Sequence, residues 1–131
     1  MLRLFRSAFV FAVAITALYA SFGSASAASK PCLRHFVAFK FKESASPAQV
    51  DSVVTAFRDL KKSITQIQTL EDGLNNSPEK LNKGLSHAFL VTFANEKDRD
   101  IYLTHPAHEE FKKVALPMVA DVLVMDFDGK K

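Results

Sequence analysis

The stretch YLTHPAHEEF, Tyr102 to Phe111, gathers two of the chain's four histidines and one of its two tyrosines around a proline. A phenol can hold or polarise a substrate oxygen while an imidazole moves a proton, and such general acid–base assistance typically gives ~10²–10⁴-fold in rate. His108 falls at the third position of a helix that Pro106 can open, where the partial positive charge of the helix N-terminus disfavours imidazolium. The neutral, base-competent ring is therefore expected at neutral pH. Tyr102 and His108 are the candidate catalytic pair, suited to an aldol-type cyclisation, an isomerisation or a decarboxylation. The same residues admit an architectural reading, in which His105 caps the last helix and Tyr102 packs its ring while its hydroxyl reaches a backbone group.

The other two histidines, His35 and His87, each stand at the head of an alternating apolar run. In an antiparallel sheet their strands run in opposite directions, so the two rings belong at opposite ends and cannot share a metal. No cysteine or carboxylate cluster has metal-ligand spacing, and neither a metal nor another cofactor is expected. The topology suggests that His87 shares a pocket with Tyr102 and His108, with Phe39 and Phe89 as further ligand-binding residues. It also suggests that His35 and Asp126 satisfy each other's hydrogen bonds, as buried polar groups require. His35, His105 and Asp126 are thus read as structural.

These residues need a scaffold, and the hydrophobic pattern supplies one. LRHFVAFKFK (33–42) alternates as a half-buried strand does, with Leu33, His35, Val37, Phe39 and Phe41 on one face. A helix follows from Ser46 to Ile64, with Ser46 and Gln49 forming a capping box, Pro47 at its first position and a stripe of Val50, Val53, Val54, Phe57, Leu60 and Ile64. TQIQTLEDGL (65–74) is a weaker strand, 75–84 a polar loop, and LSHAFLVTFA (85–94) a third strand. Asn95 caps a second helix that ends at His105, because a residue before proline is biased out of the helical region. A third helix runs from Pro106 to about Leu116, and VLVMDF (122–127) is the last strand. The order βαββαβ, with an extra helix before the last strand, is α+β and ferredoxin-like. Its helix-free face carries Phe36, Ala38, Ala88 and Leu90, too apolar to leave in water. A homodimer closing sheet against sheet would bury it.

Residues 1–27 stand apart. Arg3 and Arg6 precede a 16-residue uncharged run, Ser7 to Phe22, and Ala25-Ser26-Ala27 offers a small-x-small cleavage pattern. This reads as a secretory signal peptide, too short in its apolar run for a membrane span, with an uncleaved anchor as the alternative. Residues 28–131 then form a single domain, secreted or periplasmic, with no membrane partner after cleavage. Of the 17 Lys and Arg, Arg3 and Arg6 lie in the signal, which leaves 15 against 14 acidic residues. No basic stripe remains for nucleic acid. Cys32 is the sole cysteine, so an intrachain disulfide is excluded and an interchain one stays open.

With LRHFVAFKFK, LSHAFLVTF, YLTHPAHEEF and the Asp126 of VMDF in place, the chain resembles the stress-responsive dimeric α/β-barrel (Dabb) proteins from about Leu33 to Phe127. The resemblance implies a ferredoxin-like subunit that pairs into a two-sheet barrel and holds a small, largely apolar molecule between helices and sheet. In the plant polyketide cyclases of that family, the tyrosine and second histidine of this motif are the acid–base pair, which here are Tyr102 and His108. A cofactor-free lyase or cyclase is thus the enzymatic alternative to simple ligand binding. Haem binding, known from related dimeric barrels, is a third.

Overall fold

The alternating run at the start of the domain forms β1 (Cys32–Phe41), and its register explains much of the architecture. On one face Leu33, His35, Val37 and Phe39 are buried. A computed structural model describes residues 32–129. The segment 1–27, expected to be an export signal, lies outside them.

Ser46 begins α1 (Pro47–Ser63) with the full capping box, its Oγ accepting from the Gln49 amide while Gln49 Oε1 accepts from the Ser46 amide. Such a cap is worth about 1 kcal/mol. The helix buries Val53, Val54, Phe57 and Leu60 against the sheet. A turn then carries Ile67 into the core before β2 (Thr69–Leu74), four residues later than the β-branched pattern suggested. Residues 75–86 form a loop with turn geometry at Pro78 and Glu79 and with Gly84 at φ 82°.

The third strand is β3 (His87–Phe93), followed by α2 (Glu96–Thr104), α3 (Pro106–Ala115) and β4 (Val119–Gly129). The last strand exceeds the expected 122–127 because it pairs along the whole of β1, from Cys32 opposite Gly129 to Phe41 opposite Val119. The sheet order is β2-β3-β1-β4, with every neighbour antiparallel. This is the ferredoxin-like arrangement, with the helices on one face.

The core lies between that face and the helices. Phe57 of α1 stacks on Phe89 of β3 at 4.0 Å between centroids, and Phe111 of α3 meets Phe57 edge-on at 5.0 Å. Burying side chains of this kind contributes about 1.5–3 kcal/mol each. The other face is open. Beside Phe36 and Leu90 it exposes Leu123, Met125 and Phe127 of β4, at 40%, 54% and 48%.

Candidate active site beneath the last helix

Proline sets the local geometry. His105, forced into an extended conformation (φ −66°, ψ 136°), ends α2 and caps α3, its Nδ1 accepting from the Ala107 amide at 3.1 Å. The bend turns the last helix back over the sheet and sets His108 against Tyr102, their ring centroids 4.3 Å apart.

His108 Nδ1 lies 3.2 Å from the Leu103 carbonyl oxygen. A carbonyl only accepts, so Nδ1 carries the proton and Nε2 keeps a free lone pair. Burial pushes the imidazole's pKa below its ordinary value, with the nearby Lys112 charge adding to it and the Leu103 carbonyl opposing. The ring is a neutral base at neutral pH.

Tyr102 is 1% exposed, packed between Phe93 and His35. Burial, then the Asp126 carboxylate, push its phenol far above the ordinary range, so it stays protonated as a donor. Among the described residues no hydrogen bond engages its hydroxyl, yet no fully occluded side-chain atom lacks a partner.

His35 completes the group. Its Nδ1 donates to Asp126 Oδ1 at 2.6 Å, its direct partner across β1 and β4, and Asp126 Oδ2 accepts from Arg99 Nη1 at 2.7 Å. Burial raises the Asp126 carboxyl, but the hydrogen bonds from His35 and Arg99 outweigh it and the net shift is downward. The carboxylate thereby orients the imidazole, with Nδ1–H held toward Asp126.

A cavity of about 190 Å³ lies under α3, and His35, Tyr102 and His108 all line it with Phe39, Phe57 and Phe111. Val122 and Val124 of β4 form its outer wall. A wider depression, about 820 Å³, lies between the 75–86 loop and β4, partly on the open sheet face. The smaller cavity is the candidate site because the imidazole–phenol pair converges there.

Two expectations need correction. His87 does not meet Tyr102 or His108. It packs edge-on against Phe41 at 5.0 Å with Nδ1 2.9 Å from Ser86 Oγ, and lines shallow depressions at the other end of the sheet. Phe89 is core, stacked on Phe57 and absent from the cavity wall. The cause is helix length. Tyr102 stands six residues after Glu96, only about 9 Å of helix, so it has not travelled back along a strand of seven residues, about 20 Å. It remains beside Phe93, where the antiparallel register puts the start of β1 and His35. Arg99 was not singled out from the sequence at all; a lone arginine on a polar helix gives no signal before the Asp126 contact is known.

Helices on one face of a four-stranded antiparallel sheet, with an apolar cavity between the layers that a few polar side chains line, define a ferredoxin-like α+β subunit. The chain belongs to the Stress responsive A/B Barrel Domain family (Dabb), whose profile matches residues 33–128. It is 29% identical over 99 residues to the stress-response A/B barrel domain-containing protein HS1 of Arabidopsis thaliana, covering 76% of this chain and 91% of that one. It is 24% identical over 99 residues to the olivetolic acid cyclase of Cannabis sativa, covering 76% and 98%. The solved hydroxynitrile lyase of Passiflora edulis superposes with a TM-score of 0.73 at 22% identity, covering 79% and 97%. Bacterial structures with this fold, at TM-scores of 0.61–0.66 and 19–24% identity, are described as dimeric.

Proposed function

We propose that this chain binds a small, largely apolar, oxygen-bearing molecule beneath α3 and carries out metal-free acid–base chemistry of the lyase or cyclase kind on it. In this reading His108 Nε2 takes a proton from the substrate, and the Tyr102 hydroxyl donates a hydrogen bond to the oxygen where negative charge develops. The observation that carries it is the Leu103 contact, which leaves a neutral imidazole lone pair in an apolar chamber beside a phenol that has no hydrogen-bond partner among the described residues. The olivetolic acid cyclase and hydroxynitrile lyase names among similar proteins support the same class of reaction. At about 190 Å³ the chamber is below the ~300–1,000 Å³ of drug-sized sites and suits a one-ring or short-chain ligand. The test is α-proton exchange of a small aryl ketone in D₂O, followed by proton NMR. Exchange above background that is lost in His108→Ala supports the reading; no exchange and no ligand-induced shifts at Tyr102 or His108 refute it.

The working unit in this proposal is an exported homodimer closed through the helix-free sheet face. Its support is the exposed Leu123, Met125 and Phe127 beside Phe36 and Leu90, together with the dimeric bacterial neighbours. Sedimentation should give a dimer that Leu90→Asp dissociates, since an unpaired charge in such an interface is strongly unfavourable; a stable wild-type monomer contradicts it. Export rests on residues 1–27, and N-terminal sequencing after production in a secreting host should begin at Ala28 rather than Met1.

A further inference from the structure

We propose that the ligand of this chamber carries an acidic oxygen group, a carboxylate or an enolate, and that Lys112 recognises it. This rests on the pocket reading above and specifies its substrate class. Four polar side chains line the chamber, His35, Tyr102, His108 and Lys112, and none of them is an acid. Asp126 stands behind His35, and Glu109 stands outside the lining. The chamber therefore offers an ammonium, a phenol and two imidazoles inside apolar walls. A ligand amine would meet the repulsion of Lys112, whereas an oxyanion would meet the Tyr102 hydroxyl as a donor and Lys112 as a cation.

Lys112 follows His108 by four residues and so shares its face of α3. Its side chain is 39% exposed, fitting a stem laid along the apolar wall with the ammonium at the mouth. Nζ now contacts Glu109 Oε1 at 2.6 Å. That i,i+3 pair is half exposed, and pairs of this kind hold weakly, so a ligand oxygen can replace the glutamate at small cost. Its neighbour Lys113 differs: it is 70% exposed, paired with Glu110, and outside the lining.

The experiment is an NMR shift titration of the protein at neutral pH with phenylacetate, phenylacetamide and phenethylamine, which share a ring and a chain of similar length and differ in the charge of the end group. Phenylacetate should bind roughly tenfold tighter than the amide, about the worth of one charge-assisted hydrogen bond, with the amine weakest. Lys112→Met should erase the carboxylate preference while keeping amide affinity. Glu109→Gln, which frees Lys112, should increase the preference, and Lys113→Met should leave it unchanged. A wild type that binds the amide as well as the acid, or a preference that survives Lys112→Met, overturns the assignment of Lys112 and leaves the pocket reading standing. Absence of shifts at Tyr102 and His108 with all three compounds overturns both.

Discussion

His35 and His87 occupy matching places, each near the head of an alternating strand and each on its apolar face, yet they end in different chemistry. At the His35 end, the β3-to-β4 connection folds over the sheet, and the imidazole is 4% exposed with a carboxylate behind it and a phenol beside it. At the His87 end, the ring borders an open, polar depression shared with Asp51, Val54, Thr55 and Arg58 of α1. It is half-buried with Ser86 for a partner, and the nearby carboxylate Asp72 is engaged by Arg58 at 2.6 Å. Burial lowers the His87 pKa too, with Asp51 and Asp72 opposing. A lowered pKa is therefore common to His87 and His108, and what separates them is a largely apolar cavity that a second polar group, Tyr102, also lines. Titration alone does not make a site.

The largest expected difference between the two ends is catalytic. His108→Ala should reduce ketone α-proton exchange by ~10²–10⁴-fold, the usual reach of a general base. His87→Ala should leave it unchanged. Equal losses would erase the distinction drawn above.

The next difference is one of stability. Asp126→Ala removes the partner of a buried imidazole and should cost about 1.5–3 kcal/mol in chemical denaturation, the range for hydrogen bonds to charged groups. Asp72→Ala breaks a bidentate pair whose Arg58 side is 55% exposed, and should cost no more than about 1 kcal/mol. A reversed order would mean that the carboxylate behind His35 contributes little to holding it.

The smallest effect belongs to Tyr102→Phe. No hydrogen bond to its hydroxyl is formed among the described residues, so the melting midpoint should barely move, with a stability change within about 0.5 kcal/mol. Exchange activity should nevertheless fall. A loss of about 1–3 kcal/mol would instead assign the hydroxyl to a backbone group and favour the helix-junction role.

The element order, the α1 cap, the helix break at His105 and the apolar helix-free face were legible in the sequence, because each follows from local chemistry: Ser46 with Gln49, a residue before proline, a period of two. So was the meeting of His35 with Asp126, which needs only antiparallel pairing of β1 and β4. What eluded the sequence was which histidine joins Tyr102, since that depends on how far α2 carries the chain along the sheet. The start of β2 was also misplaced, because Thr65 to Gln68 have strand-like composition, yet Ile67 is used as a core plug from a turn. Arg99 gained its role only from a contact with Asp126, 27 residues away in sequence.

The most direct test of the account is a long-range proton–nitrogen spectrum of the four histidine rings at neutral pH, recorded with and without the aryl ketone. A neutral His108 protonated on Nδ1 is expected, titrating below the ordinary histidine value of 6.5, with ligand-induced shifts at His108 and His35 and none at His87. A His108 protonated on Nε2, or ligand-induced shifts confined to His87, would contradict it.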